Sequence, residues 1–303
     1  PQSAIDKWTE ANKDPNGQTS LGVPNYVAYP NTNWGDWIYD TSWLQNHNVS
    51  AIGGSESIRY NLSGRIQENP GIMHNTGLKR YEGRVNLEAN INSFLTVGTQ
   101  TFVINEHRSK ASDGNLYNYL RQTTPGIYPI YEGKFGGAVD GSNESSQLNN
   151  ILLHLYDNQG RDERTRLNST LFANFKILEG LTFETKFNYQ NRFDEYIDFQ
   201  KPSPKFDFST MNIIAQPAQP SQLTTSQSSS KLYRKSFDNV LRYNKSFDEH
   251  SVGLLIGHNE FYYNSYNFGA TKKGLIDESI TNIGTANEMS NIWGSESDNS
   301  MRS

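Results

Sequence analysis

Long segments of this chain alternate strictly between apolar and polar side chains. Between positions 80 and 92, Tyr81, Val85, Leu87 and Ile91 occupy one set of alternate positions, and Arg84, Asn86 and Glu88 occupy the other. Because successive side chains of a strand point to opposite faces, the pattern predicts a strand with one apolar and one polar face. The same alternation places Leu167, Leu171, Phe175, Phe183 and Phe187 on an apolar face, with Glu184 and Lys186 opposite.

The alternation recurs in about eight segments within residues 41–269, several of them as long as the roughly 9–11 residues that cross a bilayer. Short links at 53–56, 92–94, 178–180 and 247–250 alternate with longer ones, of which 108–163 and 199–231 are the longest. Outer-membrane barrels have short periplasmic turns and long extracellular loops. The pattern therefore predicts an all-β, antiparallel, up-and-down transmembrane β-barrel, with the apolar face on lipid and the polar face on the lumen.

Composition narrows the possible functions of the 303-residue chain. The net charge of −5 provides no basic excess for a phosphate backbone, so nucleic acid is not an expected partner. The absence of cysteine excludes disulfides and thiolate chemistry. Hydrophobic residues make up only 34% of the chain while aromatic residues reach 12%, which disfavours disorder and suits a sheet with one wet face.

Motifs for catalysis or cofactor binding are missing from the sequence. The six histidines are scattered without metal-ligand spacing, and there is neither a G-x-S-x-G elbow nor a phosphate-binding loop. We therefore expect no enzyme activity, no metal and no cofactor. The spacing of acidic residues in the loop at Asp140–Glu144 does not fit an EF-hand, but calcium binding by this loop is an alternative that the sequence leaves open.

Tyrosines in the longest loop are the candidate substrate-binding residues, namely Tyr117, Tyr119, Tyr128 and Tyr131. Loops on a rigid scaffold commonly carry binding residues, and rings can stack on sugars or on peptide side chains. The alternative is that these rings pack the loop on itself or on a partner.

The run from Thr32 to Gly64 begins T-N-W-G-D, continues as Q-N-H-N-V-S-A-I-G-G and then enters a second strand. This run resembles the SusC-type family of TonB-dependent outer-membrane transporters. Positions that match the family pattern are Gln45, His47, Asn48, Ser50, Gly53, Gly54, Arg59 and Tyr60. Residues 77–88 and the strand opening at 95–98 are also similar to the family, so the resemblance is strong from about 32 to 105.

The resemblance implies early strands of a barrel of about 22 strands, without the plug and the TonB-contacting segment. Residues 1–40 are then an extracellular loop segment, and 270–303 begin a further extracellular loop. The implied function is import of oligosaccharides or peptides across the outer membrane of a Gram-negative bacterium. The implied partners are a SusD-type surface lipoprotein, the TonB complex and outer-membrane lipid.

Two other classes of protein remain as alternatives. A soluble or surface β-rich carbohydrate-binding protein or adhesin would share the aromatic residues and the Asn- and Ser-rich loops, but would not need such long alternation. An enzyme embedded in a barrel would need a convergent acid, base or nucleophile, and the sequence offers none.

Overall fold

The computed structural model describes residues 2–109, 120–121, 123–137, 150–157, 160–199, 201, 203–216, 219–277, 279 and 282–303. Its main element is a nine-stranded antiparallel sheet in which every strand pairs with the strand that follows it in chain order within that sheet. The strands are β1 (Gln45–Gly54), β2 (Ile58–Pro70), β3 (Gly77–Asn90), β4 (Leu95–Ser109), β7 (Arg161–Leu178), β8 (Leu181–Phe199), β11 (Thr224–Phe247), β12 (His250–Lys273) and β13 (Glu288–Arg302). The all-β, antiparallel, up-and-down fold is confirmed. Within the described residues β1 and β13 do not pair, so the sheet is open.

Several strands are longer than the hydrophobic alternation indicates. Strands β11 and β12 each contain 24 residues and pair along their whole length. Thr224 pairs with Lys273 at one end, and Phe247 pairs with His250 at the other. At about 3.3 Å per residue each would extend roughly 80 Å, far more than a bilayer core requires. The polar run 224–230 was expected to lie in the loop 199–231, but it belongs to β11. Backbone pairing with both neighbouring strands holds this run in the sheet without an apolar face.

The segment 270–303, predicted as the start of an extracellular loop, contains strand β13. Strand β13 pairs with β12 from Glu260, opposite Arg302, to Lys273, opposite Glu288, with one irregularity near Thr271. The alternation did not indicate this strand because it is mostly polar, and its apolar positions, among them Ile292, Trp293 and Met301, do not alternate. Pairing with the long strand β12 determines its conformation.

Tight turns join the strands at one end of the sheet, where consecutive strands meet. Strands β7 and β8 are joined by Glu179 and Gly180, and Gly180 has φ of +82°. A Cβ on Gly180 would lie 2.3 Å from the backbone oxygen of Asn244, so both the conformation and the space require glycine. Asp248 takes φ of +47° in the β11–β12 turn, a conformation that Asp tolerates better than most residues.

At the opposite end of the strands, the segment before β1 and the long connections fold into a second unit. It is here called the loop layer (residues 2–40, 120–137, 150–157 and 203–216, where described). It contains helices α1 (Gln2–Lys13), α2 (Asn25–Ala28), α3 (Trp34–Ile38) and α4 (Leu152–Tyr156). It also contains a four-stranded sheet in the order β10 (Asn212–Ala215), β9 (Lys205–Asp207), β6 (Lys134–Gly136) and β5 (Ile130–Tyr131). Residues 1–40, predicted as a loop segment, thus include three helices.

Apolar burial is concentrated in the loop layer. Trp34, Ile38, Ile127, Ile151, Leu152 and Leu155 form one buried cluster, and Val23, Val27 and Phe208 form another. Side-chain hydrogen bonds join the segments, since Trp34 Nε1 donates to the Thr124 carbonyl at 2.7 Å. Asn150 Nδ2 donates to the carbonyls of Pro129 and Gly136, both at 2.8 Å. The loop layer therefore has its own core and does not consist of extended loops.

Among the described residues, no helix is both long enough and apolar enough to cross a membrane.

Candidate functional site: the polar face of the sheet and the loop layer

The strand register determines which side chains share a face of the nine-stranded sheet. Leu87 lies opposite Thr99, which lies opposite Leu171, which lies opposite Phe187. Residues directly opposite each other in antiparallel strands point to the same side, so these side chains form one continuous face. Here it is called the apolar face, and it also contains Tyr81, Val85, Leu167, Phe175 and Phe183.

The other face, here called the polar face, contains the charged and amide side chains between those positions. Arg84 lies opposite Ser63 and Phe102, and Lys186 lies opposite Phe172. Asn86, Glu88 and Glu184 share this face. All the predicted polar positions therefore lie on one face of the sheet, and the predicted apolar positions lie on the other. The sequence alternation thus continues across adjacent strands and does not average out.

Burial of the two faces is reversed relative to a water-soluble sheet. On the apolar face, Val49 is 78% exposed, Leu171 52% and Val85 42%. On the polar face, Glu106 is only 3% exposed. Soluble proteins rarely leave a large contiguous apolar surface open, and they rarely bury a carboxylate unless it is paired. The apolar face therefore needs an apolar environment that the described part of the chain does not supply.

An ionic network explains the buried carboxylate. Arg80, Glu106, Arg164 and Asp194 stand directly opposite one another on β3, β4, β7 and β8. Arg80 Nη2 contacts Glu106 Oε1, and Arg164 Nε donates to Asp194 Oδ1 at 2.5 Å. Arg108 Nη2 donates to Glu106 Oε2 at 2.8 Å, and Arg164 Nη1 lies 3.8 Å from the same oxygen. The row of alternating charges holds four strands in register.

A concavity of about 630 Å³ lies on the polar face beside this network. Its lining is mainly amide, hydroxyl and guanidinium groups, from Asn46, Asn48, Asn61, Asn86, Ser50, Ser63, Arg65, Arg84 and Arg166, with Glu82, Phe102, Ile52 and Ile104. Arg65 is held in place, because its Nε donates to Asn46 Oδ1 at 2.7 Å. The guanidinium of Arg84 lies 5.8 Å from the centre of the Phe102 ring. This lining can bind hydroxyl groups and anions.

The four predicted substrate-binding tyrosines separate into two pairs. Tyr117 and Tyr119 lie outside the described residues. Tyr128 and Tyr131 belong to the loop layer, where both pack against the Val23, Val27 and Phe208 cluster. Tyr128 meets Trp37 edge-on, with 5.4 Å between ring centres, and Tyr131 meets Phe208 at 5.8 Å.

The environment of Tyr128 suits a packed ring. Burial raises the pKa of its hydroxyl, and the neighbouring Tyr26 raises that pKa further. The ring contacts of Tyr128 with Trp37 and of Tyr131 with Phe208 match the packing alternative that the sequence left open. A substrate role for Tyr128 and Tyr131 stays a prediction.

Sequence reasoning missed the concavity and the ionic network as specific features. It assigned Arg84, Asn86 and Glu88 to a wetted wall without identifying a site. The charges at 80, 106, 164 and 194 are far apart in sequence, and only the strand register aligns them. Among the residues that the structure describes, no three His, Asp or Glu side chains are grouped as metal ligands.

Sequence comparison finds relatives among TonB-dependent receptors, although no protein-family model matches the chain. TonB-dependent receptor P3 of Formosa agariphila is 26% identical over 260 residues, which cover 81% of this chain and 24% of that receptor. TonB-dependent receptor P39 of the same organism is 24% identical over 216 residues, which cover 69% of this chain and 19% of that receptor. The chain thus spans about a quarter or less of the length of these relatives.

Fold comparison finds the same fold in solved transporter structures. The structure of the RagAB peptide transporter matches with a TM-score of 0.73 and 21% identity, covering 97% of this chain and 32% of that chain. The RagAB peptide importer in its closed-closed state matches with a TM-score of 0.74 and 20% identity, covering 98% of this chain and 36% of that chain. Together, the sequence and fold matches confirm the resemblance to SusC-type TonB-dependent transporters.

Proposed function

We propose that this chain forms part of the wall of a TonB-dependent transporter in the outer membrane of a Gram-negative bacterium. The apolar face of the sheet lies against lipid, and the polar face lines the passage. The single observation that supports this assignment most strongly is the reversed burial, with Val49 and Leu171 exposed and Glu106 enclosed. Transmembrane barrels have this arrangement, with an outward apolar band and a polar interior.

We propose an orientation from the connections at the two ends of the strands. Turns such as Glu179–Gly180 lie at the periplasmic side, and the loop layer lies at the extracellular side, as in barrels with short inner turns and long outer loops. The loop layer has a packed core, so it offers a stable surface at the mouth of the passage. We place the contact with a SusD-type surface lipoprotein there.

The proposed activity is import of an oligosaccharide or a peptide, driven through TonB, without enzyme chemistry. The fold match to a peptide importer agrees with passage of a ligand of that size. Tyr128 and Tyr131 in the loop layer stay candidates for substrate contact. So do Tyr117 and Tyr119, which lie outside the described residues.

Fractionation of cells expressing the full-length protein tests the location. The protein should enter the outer-membrane fraction and require detergent for extraction. Recovery from the aqueous fraction as a stable monomer would instead favour the soluble carbohydrate-binding or adhesin alternative.

A paired substitution tests the tyrosines. Tyr128→Ala with Tyr131→Ala removes both rings, whereas Tyr128→Phe with Tyr131→Phe keeps the packing against Trp37 and Phe208. Stacked rings contribute on the order of 1 kcal/mol each, so a ligand-contacting pair would lose roughly tenfold or more in affinity. Tyr156→Ala, another partly exposed loop-layer tyrosine, is the matched control. If the alanine pair leaves ligand and lipoprotein binding unchanged while the barrel stays folded, the rings serve packing only.

A further inference from the structure

We infer that the concavity on the polar face binds an acidic oligosaccharide, with Arg84 and Arg166 as the anion-recognising groups. The inference rests on the proposed function, because it names the substrate class of the passage that the polar face would line. It concerns strand residues and not the loop tyrosines.

Within the part of the chain that the structure describes, Arg84 and Arg166 have no acidic partner, unlike the other arginines around them. Among the described residues, no carboxylate lies within 4 Å of either guanidinium, whereas Arg80, Arg108 and Arg164 all contact Glu106. Arg65 is also engaged, with Asn46 and, at 3.9 Å, with Glu82. A guanidinium without a counter-charge on a polar surface is free to take a carboxylate or a sulfate group from a ligand.

The charge of the concavity favours an anion as a whole. Three arginines line it against a single glutamate, which leaves a net charge of +2. This local excess stands out in a chain with a net charge of −5. A cavity lined by one sign of charge concentrates ligands of the opposite sign.

The two arginines are placed to meet separate acidic groups on one ligand. In the register, Arg166 lies opposite Ile104, and Ile104 lies opposite Glu82, two positions before Arg84. Two strand spacings of about 4.8 Å and a shift of two residues of about 3.3 Å place their Cα atoms roughly 12 Å apart. A ligand with acidic groups on separate units therefore fits better than a single small anion.

The remaining lining favours a sugar over a peptide. Asn46, Asn48, Asn61 and Asn86 each present a donor and an acceptor, as sugar hydroxyl groups require. Phe102, whose ring is already covered by the Arg84 guanidinium, is the sole aromatic residue among the described lining residues. Apolar peptide side chains would meet few complementary groups.

Binding measurements on the purified full-length protein test the inference, with an oligogalacturonate, a neutral galactose oligomer of the same length and an oligoglutamate of the same charge. The oligogalacturonate should bind at least about tenfold more tightly than the neutral oligomer, and its affinity should fall as salt is raised. Arg84→Gln and Arg166→Gln should each weaken its binding by about tenfold, which corresponds to 1.4 kcal/mol. Arg242→Gln, which changes an exposed arginine on the same face outside the concavity, should leave it unchanged.

Several results would overturn the inference. Equal binding of the charged and neutral oligomers would show that the concavity does not recognise anionic groups. Tighter binding of the oligoglutamate would show that the ligand is not a sugar. If another part of the polypeptide covers these arginines, Arg84→Gln and Arg166→Gln would lower stability without changing affinity. Each of these results could occur in a protein that fractionates with the outer membrane, so they are distinct from failure of the proposed function.

Discussion

Replacing Glu106 by glutamine should destabilise the protein far more than the same change at an exposed glutamate. Glu106 is 3% exposed, and its two carboxylate oxygens face Arg80, Arg108 and Arg164. Glutamine keeps the size of the side chain and removes its charge. Three guanidinium groups would then surround a neutral amide at the centre of a covered network.

The magnitude follows from what each arginine retains. Removing one partner of a buried ion pair typically costs about 3–5 kcal/mol, because the other charge is left uncompensated. Here Arg80 keeps Glu82 at 3.6 Å, and Arg164 keeps Asp194 at 2.5 Å, so the network offsets part of the loss. We therefore expect a loss of about 3 kcal/mol in the free energy of unfolding, at the lower end of that range.

Equilibrium denaturant unfolding of the full-length protein in lipid vesicles measures this loss. The matched control is Glu10→Gln on helix α1, where Glu10 pairs with Lys13 at 2.7 Å and both side chains are at least two-thirds exposed. Exposed pairs of this kind contribute less than about 1 kcal/mol. If Glu106→Gln costs no more than Glu10→Gln, the network does not stabilise the sheet and the reasoning fails.

Three further changes test separate parts of the structure. Leu87→Arg on the apolar face should cost about 2–4 kcal/mol if it lies at the bilayer midplane, while Asn86→Arg on the polar face should cost little, as vesicle unfolding would report. A tag inserted at Gly133 in the loop layer should be labelled on intact cells and one at Glu249 should not; the reverse result refutes the topology. Phe208→Ala should destabilise the loop layer by about 3–5 kcal/mol and speed hydrogen exchange there but not in the sheet, whereas equal acceleration in both would show that they unfold together.

Sequence reasoning works well here where the physics is local. Alternation at Val85 and Leu87 depends only on the two-residue period of a strand, so it predicts faces without knowledge of strand partners. It fails where pairing determines the conformation. The polar run 224–230 and the strand Glu288–Arg302 carry little alternation, and long-range backbone hydrogen bonds make them strands.

The candidate site shows the same limit. Glu106 and Arg164 are adjacent only because β4 pairs with β7 across a long connection, so no spacing rule can find their contact. The loop layer was also beyond reach, because its core combines Trp34, Ile127 and Leu155 from three distant segments. A single sequence cannot specify which loops pack together, and the tyrosine prediction rested on loop position alone.

Labelling of adjacent positions on β3 tests the central assignment of the two faces most directly. The chain has no cysteine, so Leu87→Cys and Asn86→Cys in the full-length protein introduce unique thiols within this segment. A fluorophore at position 87 should be quenched by lipids that carry a nitroxide on their acyl chains, and one at position 86 should not. Conversely, the thiol at 86 should react with a membrane-impermeant reagent much faster than the thiol at 87. Quenching at 86 with reaction at 87, or equal behaviour at both positions, would contradict a wall with one face on lipid and the other on water.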